Sequence, residues 1–388
     1  MSKPLEGILV IDFCQFLSGP SASLRLADLG ARVIKIEKPV TGDISRQMYI
    51  SNIEMNGAST VFHAINRNKE SYTVDLKTQD GLEQIKTLIE KADVVMHNFR
   101  PKVMKRIGLD FASVKSIKKD IIYAEISGYG EDGPWQDKPG QDLLLQAITG
   151  ICMLSGDRSM MPVPMGISLI DITCGTHLCQ GILAGLFRRD MTGEGALVQV
   201  SMLESACDLQ FESITSFLND GNELPERTTT NNANAYLGAP YGIYKTGNGY
   251  IAIAMASVTE IGKLTGCEAL LHYPDPASWF TLREEIKSIL QTHLKTAATE
   301  HWLSLLEQAG IWCSPVLSWK ELVKHEGFKC LNMVQQVQMR DGYTFLTTRC
   351  PIVFDGEILY AEKGTPKLGE DNRAIQDELF NHKKLATS

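Results

Sequence analysis

The stretch Pro162–Ala206, PVPMGISLIDITCGTHLCQGILAGLFRRDMTGEGALVQVSMLESA, says more about this chain than any other. Gly166 to Ile170 is a small apolar segment, read as strand-like, that delivers one carboxylate, Asp171. An apolar helix follows at once, with Leu178, Ile182, Leu183 and Leu186 at helical spacing. It ends in Arg188, Arg189 and Asp190, before the turn Thr192-Gly193-Glu194-Gly195. Ala196 to Met202 then reads as a strand running into another apolar helix. An acid where a strand-like segment meets a buried helix start is costly unless something needs it there. The first N–H groups of the helix are expected to hydrogen-bond its charged form and keep it ionised. Taken alone, such an acid is ordinarily a helix cap. The alternative is a carboxylate nucleophile, and the rest of the chain has to choose between them.

On the N-terminal side, Gly7 to Cys14 is a β-branched apolar run, as expected for a strand buried on both faces. Gln15 to Pro20 reads as a turn, and a helix from about Ser21 to Leu29 stops at Gly30. Arg32–Glu37, Ser71–Leu76, Ala92–His97 and Ile121–Ile126 are further strands. Asp80–Lys91 is a helix with Leu82, Ile85, Leu88 and Ile89 on one face. Strands alternating with helices predict an α/β fold whose mainly parallel sheet is covered on both sides. Ligands of such sheets bind at the carboxyl ends of the strands. The residues just past those ends are Gln15–Pro20, Lys38, Lys77, Asn98–Arg100 and Gly128–Gly130. Bends, glycines and cations suit a phosphorylated ligand. No GxGxxG follows the first strand and no GxxxxGK[ST] occurs, so neither a standard dinucleotide site nor ATP hydrolysis is supported.

After about Leu218 the texture changes. Asn219–Tyr236 is polar and aperiodic and reads as a linker or long loop. YGIYKT and YIAIAM look like strands joined at Gly247-Asn248-Gly249. Helical patterns at Thr281–Leu294 and Ala298–Ala309 follow, then strand-like IWCSPVL and a helix at Trp319–His325. A smaller α+β domain is therefore expected over about 225–325. The domain division is 1–218 for the N-terminal part of a large domain, 219–330 for linker and small domain, and 331–388 as a C-terminal segment. Within that segment, Val334–Ile352 alternates weakly like β structure and Gly369–Lys384 looks like a polar surface helix.

Composition narrows the function classes. A chain of 388 residues exceeds one small domain, and its formal net charge of -8 argues against nonspecific nucleic-acid binding. Nine cysteines show no CxxC pairing, and Cys152, Cys179 and Cys207 sit in apolar runs as buried thiols would. Such usage points to a reducing compartment. The N-terminus has no signal-peptide pattern and no window holds 18 uninterrupted apolar residues, so a cytoplasmic, non-membrane protein is expected. His63, His97 and His177 have no metal-ligand spacing.

With these residues laid out, the chain resembles the class III coenzyme A transferases of the CaiB/BaiF type, which include formyl-CoA:oxalate, carnitine and bile-acid CoA-transferases. The likeness covers nearly the whole length. It rests on Leu5-Glu6-Gly7, Gly19-Pro20, Leu29 to Glu37 with Gly42-Asp43, Asn68-Lys69-Glu70-Ser71 and Asp75-Leu76-Lys77. It continues through Ala92-Asp93-Val94, Asn98-Phe99-Arg100-Pro101, Ser127-Gly128-Tyr129-Gly130, Asp171, Gly175, Gly181-Ile182-Leu183-Ala184 and Thr192 to Gly195. Order and spacing together make the set specific.

The resemblance implies a Rossmann-like large domain, a smaller inserted α+β domain, and two chains threaded as interlocked rings, with no stable folded monomer. It implies that Asp171 is the nucleophile, passing acyl groups and CoA through mixed anhydrides and an aspartyl-CoA thioester. It implies CoA contacts at Lys38, Val74, Asp75, Leu76, Lys77, Asn98, Phe99, Arg100, Arg106, Gly140, Gln141 and Asp142. Lys38 and Arg106 are expected at phosphates, with Asn98 and Phe99 bordering the adenine. CoA and acyl-CoA enter as substrates, with a small carboxylic acid as acceptor, and no tightly bound cofactor is expected. Leu17 stands where relatives place a polar oxyanion donor, and Gly238 or Gly247–Gly249 are the loop candidates for that role. Acyl-CoA racemisation is the rival activity, and its branch has a histidine where Gln141 stands. Glutamine cannot serve as that base, and His177 is expected to lie within the helix as structure. A catalytically silent CoA-binding protein is the other alternative, but it would have no need of Asp171. The acceptor acid stays open between a dicarboxylate, a carnitine-like betaine and a bile or aromatic acid, with Trp135, Tyr236 and Tyr241 as candidate pocket walls.

Overall fold

The computed structural model describes residues 3–100, 102–221, 223–224 and 226–385. Pro101 of the matched motif lies outside these, as do residues 222 and 225 of the expected linker and the last three residues. The chain forms two compact units, one of Met1–Leu145, Ser168–Leu209 and Leu331–Ser388, the other of Gln146–Ile167 and Gln210–Cys330.

The first unit is built on β1 (Leu9–Asp12), β2 (Arg32–Glu37), β3 (Lys69–Thr73), β4 (Val94–His97), β5 (Ile122–Ser127) and β6 (Ala196–Ser201). They form one six-stranded sheet in the order β3-β2-β1-β4-β5-β6. Every neighbouring pair is parallel. Successive side chains of a strand face opposite ways, and both faces are apolar here. Val10, Val94 and Ile122 enter one core with Leu26, Leu178 and Ile182. Ile11, Val95 and Tyr123 enter the other with Tyr72, Ile85 and Leu88. The strand order reverses between β1 and β4, so the loops that follow those two strands flank the switch point where such sheets bind ligands.

The crossover helices that matter for the site are α1 (Ser18–Asp28), α2 (Gln79–Lys91), α3 (Asp142–Ile148) and α4 (Leu169–Thr192). The sequence places the start of α1 at Ser21, three residues late. Pro20 falls in the first turn, where its missing N–H costs nothing. The expected strand at Gly166–Ile170 is also corrected: residues 166–168 are bends and loop without a ladder partner, and Leu169 already begins α4. β3 lies two to three residues earlier than the pattern SYTVDL indicates. α4 runs 24 residues, buries Ile170, Cys174, Leu178, Ile182 and Leu186, and stops at Gly193 with φ 72°. It is long and apolar enough by composition to cross a bilayer, yet it packs along α1, β5 and β6 as a core helix.

The second unit centres on β7 (Gly242–Lys245), β8 (Tyr250–Ile253) and β9 (Cys313–Pro315), an antiparallel sheet in the order β9-β8-β7. With α5 (Arg283–Leu294) and α6 (Thr299–Gln308) it encloses a core of Tyr244, Ile251, Ile286, Leu290, Trp302 and Leu306. This unit differs from the expected 219–330 by starting at 210 and by including residues 146–167. That segment is tied in by side chains rather than by a ladder. Arg227 donates to the carbonyls of Ser155 and Met160, and Asn232 to those of Leu154 and Gly156. The chain then returns to the first unit through the hairpin β10 (Val334–Gln338) and β11 (Thr344–Thr348), and ends in α7 (Asn372–Leu385). Asp371 and Asn372 accept the N–H groups of Ser71 and Thr73 on β3.

Candidate active site

The loop after β1 is the floor of the site, and it is held from three sides. The Asn98 carboxamide, just past β4, accepts the Gln15 N–H at 2.8 Å and donates to the Gln15 carbonyl at 2.7 Å. Lys35 donates to the Cys14 carbonyl at 2.7 Å and pairs with Asp43 at 2.7 Å. Asp43 in turn accepts the N–H of Phe16, a residue at φ 65°. Beneath lies a second buried pair, Lys69 with Asp12, shared with Ser23, Asn66 and the Pro20 carbonyl. Glu37 at the end of β2 is gripped by both arms of Arg46 at 2.8 and 2.7 Å and by the Ser71 hydroxyl.

These charges settle one another. Burial pushes the Glu37 and Asp43 carboxyls upward, but Arg46 and Lys35 outweigh it and hold both below the usual carboxylate range. Burial likewise acts to lower Lys35, and Asp43, Asp12 and Glu37 together overcome it. Lys69 has weaker compensation, and burial pushes it down to about 8.

Asp171 sits in a different environment. It is the third residue of α4, partly buried, and its carboxylate accepts a hydrogen bond from Ser18, the first residue of α1. α1 and α4 meet closely because Gly175 lies one turn after Asp171. A Cβ there would collide with Ser21 Oγ and the Ser18 carbonyl. The expected role of the α4 N–H groups is overturned. Asp142 Oδ2 accepts those of Ile170 at 2.7 Å and Asp171 at 3.0 Å, while the capping-position residue Ser168 makes no side-chain cap. Asp171 is therefore not the cap of its own helix, nor is it held strongly acidic. Burial and then the negative charge of Asp142 push it up to about 6, against the opposing Ser18 bond. It is still mostly ionised at neutral pH.

The predicted CoA residues follow β2, β3, β4 and β5 and so share the carboxyl edge of the sheet with Asp171. Lys38, Asp75, Lys77, Arg100 and Arg106 are exposed there. Leu76 and Phe99 are half-buried, and Phe99 stacks on His97. Val74 is buried in the core, so its side chain faces the sheet. Asn98 has its carboxamide committed to Gln15. Gly140 packs its backbone against Gly128, since a Cβ on Gly128 would lie 2.9 Å from the Gly140 Cα. Gln141 is exposed, and Asp142 is buried as the cap of α4. Ser18, within the Gln15–Pro20 turn, and Gly175, within the matched motif, are both noted in the sequence, but their contact with each other and with Asp171 is not.

The other residues singled out in the sequence lie as follows. Tyr129 is in the core, with Trp135 edge-on to it. Tyr241 lines a cavity of about 410 Å³ in the second unit, together with Ile243, Ile253 and Trp312. All nine cysteines are free. Cys207 is exposed, contrary to the buried thiol its apolar run indicates. Among the described residues no group of three His, Cys, Asp or Glu is placed to hold a metal ion.

The chain matches CoA-transferase family III over residues 5–372. It belongs to that family. This family III CoA-transferase is 28% identical to the succinate–glutarate CoA-transferase of Agrobacterium fabrum, over 99% of the chain and 98% of the relative. It is 31% identical to the succinyl-CoA:glutarate CoA-transferase of Mus musculus, over 98% and 87%. A crystal structure of a CaiB/BaiF family protein from Brucella suis superposes with a TM-score of 0.84 at 29% identity, covering 98% of this chain and 100% of that one. The chain is thus an enzyme that transfers coenzyme A and takes CoA thioesters as substrates.

Proposed function

We propose that this enzyme moves CoA from an acyl-CoA donor to a small carboxylic acid through covalent intermediates on Asp171. The observation that carries the proposal is a partly buried carboxylate in the first turn of a core helix, facing Asp142 and Ser18 and no cation among the described residues; that setting pushes it up to about 6. Such a group is ionised at neutral pH and more basic than an ordinary aspartate, so it needs no general base.

An Asp171 oxygen attacks the thioester carbonyl and CoA thiolate leaves, giving a mixed anhydride. The thiolate then attacks the aspartyl carbonyl, releasing the donor acid as carboxylate and leaving an aspartyl-CoA thioester. The acceptor carboxylate attacks that thioester, forming a second anhydride and freeing the thiolate again. Attack of the thiolate on the acceptor carbonyl gives the new acyl-CoA and restores the Asp171 carboxylate. No step requires a net proton transfer. An anhydride keeps the acyl activation that an ordinary ester would lose. Each tetrahedral stage places negative charge on oxygen and calls for a donor. Leu17 carries no such group, and the Ser18 hydroxyl is engaged with the Asp171 carboxylate itself.

Lys38 and Arg106 are proposed to meet the phosphates, with Val74 to Lys77, Asn98 to Arg100 and Gly140 to Asp142 along the rest of CoA. The printed substrates of the two relatives, succinate and glutarate, favour a small dicarboxylate as acceptor. An interlocked homodimer fits the exposed apolar side chains of α4, Ile172, Phe187 and Met191, which a second copy would cover. A cytoplasmic setting fits the nine free thiols. Racemisation is disfavoured. Gln141 stands at the base position, and His177 is held by Ser205 at 3.0 Å and Asp208 at 3.3 Å.

The test is intact and peptide mass after mixing the enzyme with succinyl-CoA or acetyl-CoA, with hydroxylamine or borohydride trapping. Modification confined to Asp171, and absent from Asp171→Asn, is the expected result. No adduct with either thioester, alongside exchange of the substrate α-proton in deuterated water, would transfer the assignment to racemase chemistry.

A further inference from the structure

We propose that Asp142 is a positioning residue of the transfer reaction: its carboxylate stands in for the missing cap of α4, clamps the peptide of Asp171 and sets a like charge beside it. The inference rests on the reading of Asp171 as nucleophile. A helix start leaves its first N–H groups without intrahelical partners, and a side chain at the capping position ordinarily takes them. In α4 that residue, Ser168, makes no such bond. Asp142, 29 residues earlier in sequence, takes the second and third N–H groups on a single oxygen.

The geometric consequence is direct. One of the two bonds is to the N–H of Asp171 itself, so the peptide carrying the nucleophile is clamped through its backbone. Asp142 is buried and follows Gly140, whose backbone contact with Gly128 sets where α3 begins. The clamp is thus built from the end of β5 and does not depend on loop side chains in solvent.

The electrostatic consequence runs the same way. A carboxylate in the first turn of a helix is ordinarily made more acidic by the free N–H groups and the dipole. Here those groups are bonded to another carboxylate, and the favourable partner is replaced by a like charge. The groups facing Asp171 are Asp142 from α3, Ser18 from α1 and Cys174 on its own helix. The Cys174 thiol is buried and pushed up to about 12, so it stays neutral and adds no charge. No lysine, arginine or histidine acts on Asp171 among the described residues. A carboxylate that is more basic yet still ionised at neutral pH is the better nucleophile toward a thioester.

Asp142→Asn and Asp142→Ala separate the two roles. The carboxamide oxygen of Asn can still accept both N–H groups, so this variant keeps the cap and loses the charge. Ala loses both. The rate of Asp171 acylation by acetyl-CoA is followed by quench and mass between pH 4.5 and 8.5, in full-length wild type and both variants. In the wild type the rate rises with ionisation of Asp171, about pH 6. In Asp142→Asn the rise moves down by about one pH unit and the plateau is lower, because a less basic carboxylate attacks more slowly. Asp142→Ala shows at least the same downward shift together with a lower thermal midpoint. An unshifted rise in Asp142→Asn, whatever its plateau, overturns the electrostatic role and leaves Asp142 as a cap alone. A wild type that never forms the Asp171 adduct overturns the nucleophile reading itself, and the two failures are told apart by that control.

Discussion

Acids at the carboxyl edge of this sheet live in two kinds of surroundings. Glu37 and Asp43 are nearly inaccessible, yet each faces a cation at 2.7 Å and is held below the usual carboxylate range. Asp171 is less deeply buried, faces another carboxylate and a serine, and is pushed upward. Burial penalises the charge in both places, and the partner decides the sign. The paired acids are scaffold: with Lys35, Arg46 and Lys69 they lock the Cys14–Leu17 loop and the turn after β2. The acid without a cation is the one proposed to react, in line with the tendency of perturbed acidity to cluster at functional sites.

The largest effect is expected from neutralising the unpaired acid. Asp171→Asn should lower CoA transfer by on the order of 10³ or more in a steady-state assay. The same change should raise stability at neutral pH by about 2 kcal/mol. The sign follows from an acid whose folded value, about 6, lies above its usual 3.8. The unfolded chain ionises first, so wild-type stability falls between those two values as pH rises. The advantage of Asp171→Asn in urea unfolding should therefore be full above pH 6 and vanish below about 3.8.

Breaking a paired acid should do the opposite to stability. Lys35→Met leaves Asp43 buried without its cation, and a loss of about 3–5 kcal/mol is expected by thermal or urea unfolding. Because Asp43 and Glu37 are more acidic in the fold than when free, their contribution is present above the usual carboxylate range and lost on acidification. The deficit of Lys35→Met should shrink accordingly as pH falls. A neutral outcome for this variant would erase the distinction between the two sets of acids.

A smaller loss is expected from Gly175→Ala. The added methyl drives α1 from α4, at a cost of about 1–3 kcal/mol, and slows Asp171 acylation by moving Ser18 away. The smallest effect belongs to Ser18→Ala. Removing the hydrogen bond that favours the ionised form should move the acylation pH profile upward by roughly half a unit. That direction is opposite to the one expected for Asp142→Asn, so the pair of variants brackets the wild type.

The contrast also explains what could be read from the chain alone. Arg32–Glu37 was legible to the residue, because a strand buried on both faces must be a continuous apolar or β-branched run apart from partnered charges. α4 was legible from the spacing of Leu178, Ile182 and Leu186. Asp171 stood out as an isolated acid and through its family context, although the helix it was expected to precede begins two residues before it. Its environment was not. The bond that the Asp171 N–H donates to Asp142 spans 29 residues with no periodicity to announce it, and the helix start at Ser18 is obscured by Pro20. Residues 146–167 gave no sign of joining the second unit, since side-chain-to-backbone bonds from Arg227 and Asn232 leave no pattern in sequence. Local periodicity reveals elements, while the partner of a buried charge is a property of the assembled edge.

The central claim, that Asp171 is made basic by burial beside a like charge, is most directly tested by carbon NMR titration of aspartate-labelled enzyme. Asp171→Asn would assign the resonance by its disappearance. A midpoint near 6 is predicted for the Asp171 carboxyl carbon. A midpoint at or below the usual 3.8 would contradict the account and place Asp171 with the scaffold acids.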